Sequence, residues 1–265
     1  MATAPARACV FCGRTPVTRE HVWPEWVGKI LDTIANSPYQ NVLATPGTEK
    51  RWITKRLSIT VARFCSQCNN EWMAELEAQA QPILTPMVLG TTPFTILSPA
   101  DQVILSRWVF KTVLVANLTL PEQHVIPATT YREFYQNRVP PERGAVIWTA
   151  GYSGRMRWGH FTRHGLVLWR RETIGINVAT GKEAHTQLPH TFVTLATLTT
   201  FRALFQVLFY FGGDWTPARV ASEQTERIII RLWPATGTPV LWPKDRYAIG
   251  SFDSLDNFSR RSDFF

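Results

Sequence analysis

The residues best suited to chemistry lie near the start of the chain. Cys9 and Cys12 form one Cys-x-x-Cys pair, and Cys65 and Cys68 form a second. Two intervening residues let both thiolates of a pair reach one ion without strain, and two such pairs complete a closed tetrahedral zinc site. Four sulfurs leave no open coordination position, so an ion held there is structural rather than catalytic. No cysteine lies beyond Cys68. In a chain that begins without a basic-then-apolar leader, and so reads as cytoplasmic, four clustered cysteines favour metal over disulfides. The second pair sits where a strand passes into a helix. A knuckle, a hairpin and a strand-turn-helix closing on one zinc describe a treble-clef layout.

Between the pairs lies Glu20-His21-Val22-Trp23-Pro24, and Asn69-Asn70 follows the last cysteine directly. Here the sequence resembles the HNH nuclease family in its ββα-metal form with an added four-cysteine zinc. That family carries an acidic residue followed by His, an apolar residue and a nearby Pro, then a Cys-x-x-Cys followed at once by His or Asn. Glu20-His21-Val22-x-Pro24-x-Trp26 and Cys65-x-x-Cys68-Asn69-Asn70-x-Trp72-Met73 are the matching strings. The resemblance covers about residues 8–80. It departs from the family pattern in Glu20, where Asp is commoner, in Asn69, a weaker donor than His, and in the 52 residues between Cys12 and Cys65. The family's middle Asn has only Asn36 and Asn41 as loop candidates.

The resemblance implies a definite chemistry. Phosphodiester hydrolysis needs a water nucleophile, a base and a cation to offset charge on the phosphate and the leaving oxygen. His21 is implied as the base, because an imidazole with a reference pKa near 6.5 is largely neutral at cellular pH. A hard divalent ion prefers oxygen ligands. Glu20 would offer a carboxylate and Asn69 a carbonyl oxygen, so together with phosphate and waters they would hold one Mg²⁺ or Mn²⁺ that stabilises the leaving group. Glu20 and Asn69 stand 49 positions apart, and the structural zinc is what would bring them together. The remaining acids of the stretch, Glu71, Glu75 and Glu77, read as a solvated helix face. His124, His160, His164, His185 and His190 show no metal-ligand spacing. Trp23, Trp26 and Trp72 read as packing around a small zinc core.

A second constellation lies further along. Residues 130–171 contain Arg132, Arg138, Arg143, Arg155, Arg157, Arg163, Arg170 and Arg171, with no Lys and with Glu133 and Glu142 as the only acids. Tyr131, Tyr135, Trp148, Tyr152, Trp158 and Trp169 are interleaved. Guanidinium groups bind phosphate in a forked geometry, and aromatic rings stack unpaired bases. Arg138, Arg143, Arg155, Arg157 and Arg163 are therefore candidates for nucleic-acid contact. The competing reading is a twisted sheet with arginines on its wet face and Trp in its core.

The elements that must position these residues can be sketched from pattern. Residues 1–8 read as a tail and Cys9 to Arg14 as a tight knuckle. Thr18 to Val22 is β-prone, and Pro24 opens a helix reaching Ile34. Residues 35–50 read as a loop and Trp52 to Phe64 as a strand or hairpin. From Cys68 to about Gln81 the spacing of Trp72, Leu76 and Ala80 predicts a helix, which Pro82 and Pro86 should end. After Gly-Thr-Thr-Pro at 90–93, Ser98-Pro99-Ala100-Asp101 is a helix start. That helix runs to about Leu118 with Ile104, Trp108, Thr112 and Val115 on one face. Tyr131 to Asn137 predicts a short helix. From 144 to 193 short β-like runs alternate with turns. Leu195 to Phe211 predicts an apolar helix ended by Gly212-Gly213. Residues 228–230 and 240–242 read as late strands, and the tail after Ser251 as exposed.

The expected fold class is α+β, with a zinc-bound module at 1–90 and a second α+β domain at 91–265 for substrate binding, regulation or assembly. The 265 residues suffice for one large domain or two modest ones. Hydrophobic residues at 45% and charged residues at 18% exclude wholesale disorder. No apolar run approaches the roughly 18 residues of a membrane helix. The 28 basic residues against 20 acidic ones leave +8, a surplus that favours an anionic partner, nucleic acid first. The expectation is therefore a metal-dependent endonuclease with structural Zn²⁺ and catalytic Mg²⁺ or Mn²⁺. DNA is the more natural substrate than RNA, with a homo-oligomer or an activating partner allowed. Its setting would be restriction, phage defence or a mobile element. The alternatives are a non-catalytic zinc-finger protein that binds nucleic acid and an interaction scaffold with a basic face.

Overall fold

The computed structural model describes residues 7–32, 39–45, 48–54, 59–119, 126–154, 159–176, 183–211, 223–245 and 249–259. Strand β1 (Val17–His21) is followed by helix α1 (Glu25–Asp32), the paired strands β2 (Tyr39–Thr45) and β3 (Thr48–Thr54), and β4 (Thr60–Cys65). β4 pairs antiparallel with β1, not with β3, so β2 and β3 form their own ribbon where a loop is expected at 35–50. The alternation expected to run from Trp52 to Phe64 therefore belongs to two strands, β3 and β4, that lie in different sheets. Helix α2 (Ser66–Cys68), a π-helical turn (Asn69–Met73) and α3 (Ala74–Leu89) follow without a break.

Pro82 and Pro86 do not end this helix. A helical proline strips one carbonyl of its partner, four residues back. Those carbonyls belong to Ala78 and Pro82, and both residues are exposed, so water can serve the groups left free. The stop comes at Gly90, whose left-handed φ of 62° closes the last turn through Gly90 N–H to the Pro86 carbonyl at 2.9 Å. Helix α4 (Pro99–Asn117) starts as expected. The Ser98 hydroxyl accepts from the Asp101 N–H at 3.2 Å, and the Asp101 carboxylate accepts from the Ser98 N–H at 2.9 Å. Every residue from Trp108 to Asn117 is buried, Lys111 included. Helix α5 (Ala128–Asn137) matches the short helix expected there.

A five-stranded antiparallel sheet supplies the rest, in the order β10-β6-β9-β8-β7. Its strands are β6 (Ala145–Gly151), β7 (Gly159–Ile176), β8 (Glu183–Thr200), β9 (Ala203–Phe211) and β10 (Ile230–Trp233). The expected helix at 195–211 is therefore a hairpin. Thr200 pairs with Ala203 across a two-residue turn, with Phe201 at φ 51°. The physical reason is burial on both faces. Phe205, Val207 and Phe209 face the core that contains α4, while Leu204 and Leu208 face a second cluster with Trp148, Leu255 and Phe258. A strand apolar on both sides reads as one continuous apolar run, and periodicity then cannot separate it from a buried helix. The same second cluster corrects the tail. Helix α7 (Phe252–Ser259) buries Leu255 and Phe258 against the sheet instead of lying exposed. A short ribbon of β5 (Thr95–Leu97) and β11 (Val240–Trp242) and the single turn α6 (Glu223–Glu226) complete the α+β architecture.

One hydrophobic cluster extends from Cys9 and Phe11 through α3 and α4 to the sheet, crossing residue 90 without interruption. The cysteine-bearing segment is thus seated on α4 and α5. Among the described residues no helix is long and apolar enough to cross a membrane.

Candidate functional site

The first cysteine pair is set by a tight turn. Gly13 N–H donates to the Cys9 carbonyl at 2.8 Å, and Cys9 N–H donates to the Arg14 carbonyl at 2.9 Å. Gly13 adopts φ 78°, and a Cβ there would meet nothing within 4 Å, so backbone conformation rather than space requires glycine. Val10 N–H donates to the Arg63 carbonyl at 3.0 Å and ties the turn to β4. The second pair straddles the strand-to-helix junction. Cys65 ends β4 and caps α2, its Sγ accepting from the Cys68 N–H at 3.4 Å. Phe11 packs on Phe64 and Trp72 at ring-centroid distances of 5.0 and 5.1 Å and holds the two halves together.

The four cysteine sulfurs lie within 4.8 Å of one another, with Cys12 Sγ and Cys65 Sγ at 3.5 Å. A tetrahedral zinc with Zn–S bonds of about 2.3 Å needs sulfur separations of roughly 3.8 Å. The donor set and its size therefore suit one metal ion such as zinc. Burial pushes the thiols of Cys12 and Cys68 up. Burial also acts against the Cys65 thiolate, but the Cys68 N–H and the neighbouring thiols outweigh it and bring Cys65 down. Such crowding of thiols is relieved when a bound cation takes them all as thiolates.

Asn69 comes to β1. Its Nδ2 donates to the Arg19 carbonyl at 3.1 Å and to Thr18 Oγ1 at 3.4 Å, while Thr18 Oγ1 donates to the Phe64 carbonyl at 3.0 Å. The amide is thus placed one residue from Glu20, within a π-helical turn that a regular helical reading of this stretch does not anticipate. His21 is half-buried and pairs with Thr60 across the ribbon. Successive strand residues point to opposite faces, so His21 and Glu20 diverge from the strand.

Glu20 is 6% exposed, and its Oε1 lies 3.4 Å from Nζ of Lys111. The same ammonium lies 2.6 Å from Glu77 Oε1. Lys111 is fully buried in α4, so β1, α3 and α4 meet at a cation held between two carboxylates. Burial raises the Glu20 pKa; Lys111 opposes this and Glu77 adds to it. Burial acts to lower the Lys111 pKa, but Glu77 and Glu20 more than reverse it. Glu77 therefore belongs to an ion-paired triad rather than to the solvated face expected of it, while Glu71 and Glu75 are exposed as expected. Among the described residues the four cysteines are the one group of three or more His, Cys, Asp or Glu ligands close enough to share an ion. Glu20 and His21 thus leave β1 on opposite faces, Asn69 is seated on the Arg19 backbone beside them, and the Glu20 carboxylate is engaged by an ammonium.

Lys111 is the site residue that sequence reasoning missed. Its signal is a charge, Phe110-Lys111-Thr112, inside the wholly buried stretch from Trp108 to Asn117. Of the arginine candidates, Arg143 is exposed just before β6, and Arg138 caps α5. Arg155 and Arg157 lie outside the described residues, as do Asn36 and His124, and of Arg163 only its position in β7 is described. Comparison with protein-family models, with curated proteins and with solved structures finds no match to this chain.

Proposed function

We propose that the chain is a metal-dependent endonuclease built on a zinc-stabilised HNH-type module, acting on DNA or, as a second choice, RNA. The observation that carries this reading is the seating of Asn69 on the backbone of Arg19 beside a four-cysteine cluster. It draws the Glu20-His21 strand and the first turn after Cys68 into one place, although 49 positions separate Glu20 from Asn69. The treble-clef arrangement of knuckle, ribbon and helix supports the same reading.

In this mechanism Cys9, Cys12, Cys65 and Cys68 would hold a structural Zn²⁺ that would tie the ribbon to the helix. His21 accepts the proton of the attacking water. Glu20 and Asn69 would hold a Mg²⁺ or Mn²⁺ ion, which would supply charge compensation for the leaving oxygen. Lys111 sets the terms for that ion, because it already neutralises Glu20 and any cation must share or displace its ammonium. The basic surplus of +8 suits a phosphate-rich substrate. A second reading is favoured by the Lys111 contact itself. If Glu20 serves only Lys111, the module is a non-catalytic zinc finger that binds nucleic acid.

Supercoiled plasmid incubated with Mg²⁺ or Mn²⁺ separates the two. The endonuclease reading expects nicking or linearisation by the wild type and none by His21→Ala at equal zinc content and melting temperature. Cleavage retained in His21→Ala removes the assigned base. Retardation of the plasmid without cutting under either ion leaves the binding protein.

A further inference from the structure

A cavity of about 220 Å³, partly open to solvent, lies between the β8–β9 turn and the end of α3. Its walls come from separate stretches of chain: Leu89 and Gly90 at the end of α3, Tyr152 and Ser153 just after β6, Arg202 in the turn, and Trp242 at the end of β11. None of these residues belongs to the candidate site described above. At 1.5 Å per residue, roughly 30 Å of helix separates Cys68 from Leu89. Arg202 is the one charged residue among the described residues of this lining.

The backbone is shaped to hold that arginine. Thr200 pairs with Ala203, so Phe201 and Arg202 make up the whole turn. A positive φ at the first position of such a turn normally goes to Gly, Asn or Asp. Here Phe201 holds φ 51°, and its ring centre lies 5.1 Å from the guanidinium carbon of Arg202. A bulky residue in that conformation is strained, and such strain collects at ligand sites. Gly90, at φ 62°, has Arg202 against it. A Cβ there would stand 3.3 Å from Cγ and 3.8 Å from Nε, so the bare glycine lets the arginine stem lie on the helix end. The Tyr152 N–H donates to the Arg202 carbonyl at 2.8 Å and ties the turn to the neighbouring wall. Arg202 is half-buried, and among the described residues no carboxylate pairs with it.

A guanidinium in a cavity wall, without an acid of its own, offers a fork of N–H donors to a carboxylate or a phosphate. Around it Leu89 and Trp242 supply apolar surface, and Ser153 supplies a hydroxyl. An apolar cavity with a few placed polar groups is the usual form of a small-molecule site, and such sites commonly run to about 300–1,000 Å³. The smaller volume here suits a small molecule rather than a polymer. We infer that this cavity binds a small organic anion, its carboxylate or phosphate gripped by Arg202 and its apolar body laid against Trp242 and Leu89. The inference does not use the nuclease reading and adds a second site at the other end of the helix that begins at the cysteine cluster.

The test is a saturation-transfer NMR titration of the full-length protein with benzoate and with phenyl phosphate at millimolar concentration and constant ionic strength. Neutral benzyl alcohol is the comparison. The wild type is expected to bind at least one anion saturably, and the tighter of the two names the head group. Benzyl alcohol should bind roughly tenfold more weakly or worse. Arg202→Gln should weaken the anion roughly ten- to a hundredfold, and Arg202→Lys should recover part of that by keeping the charge without the fork. Thr92→Trp fills the cavity from an exposed position on another segment, leaves Arg202 in place, and should also lose binding. It keeps the test open should a variant in the turn fail to fold, which melting temperature reports. Arg231→Gln, on an exposed arginine of β10 outside the cavity, should change nothing. The site is overturned by a wild type that binds neither anion saturably, by wild-type affinity in Arg202→Gln or in Thr92→Trp, by benzyl alcohol binding as tightly as the anions, or by an equal loss in Arg231→Gln. The nuclease reading fails differently. A His21→Ala protein that still cuts plasmid removes the assigned base and leaves anion binding as it was.

Discussion

Replacing Lys111 by Met probes the most unusual charge in the molecule. The substitution keeps an unbranched stem in α4 and removes the ammonium that Glu20 and Glu77 share. Glu20 is then a carboxylate at 6% exposure with no cation, and Glu77 loses its 2.6 Å partner. Removing one partner of a buried ion pair costs about 3–5 kcal/mol, because the charge left behind has neither water nor a counter-ion. For a chain of this size that corresponds to a melting temperature roughly 6–20 °C lower. The pH dependence carries the sharper test. Burial raises the Glu20 pKa in the native protein, and without Lys111 it rises further. A group whose folded pKa is raised contributes its stability below the unfolded value, and loses it as pH rises through the folded value. The deficit of Lys111→Met relative to wild type should therefore be large near pH 8 and shrink toward pH 5, as Glu20 takes up a proton. Urea unfolding at both values, with wild type measured alongside, reads this directly. Adding Glu20→Gln to the variant should recover part of the loss at about pH 8, because the two sites are coupled. A Lys111→Met protein within about 1 kcal/mol of wild type near pH 8 refutes the reasoning, and so does a deficit equal at the two pH values.

Other outcomes follow from the same geometry. The wild type should lose stability in strong alkali as pH rises through the raised folded pKa of Lys111, visible as a falling urea midpoint well above pH 10. Ser98→Ala removes the hydroxyl that accepts from the Asp101 N–H, leaving the backbone N–H to the Asp101 carboxylate, and should cost about 0.5–2 kcal/mol in the same unfolding assay. Asn69→Ala removes the bond from Nδ2 to the Arg19 carbonyl and should cost about 1 kcal/mol. Its plasmid cleavage should fall by more than that stability loss explains.

The parts of the molecule that are legible in the sequence are those set by local chemistry. The Cys-x-x-Cys spacing announces that the four thiols gather at one point, because candidate ligand atoms are named by residue type. The start of α4 is written in Ser98, Pro99 and Asp101, which satisfy the first turn by themselves. The approach of Asn69 to β1 is also within reach, since it directly follows Cys68, whose sulfur gathers with those of Cys9 and Cys12 just before β1. What escapes depends on distant partners. Leu195 to Phe211 reads as helical because both faces of β8 and β9 are covered, one by α4 and one by α7, and the turn at Phe201 carries no glycine to mark it. Pro82 and Pro86 do not break α3, and the carbonyls they orphan belong to Ala78 and Pro82, both exposed residues. Glu20 reads as an open ligand because nothing near it in sequence reveals Lys111, 91 positions away.

A metal ion shared by the four cysteines is what would build the N-terminal module. Metal analysis of purified protein, with thiol titration before and after denaturation, tests this most directly. The account predicts one zinc per chain, four thiols silent until the protein unfolds, and loss of both zinc and cooperative unfolding in Cys68→Ser. A folded wild-type protein with no stoichiometric metal and four freely titrating thiols contradicts it.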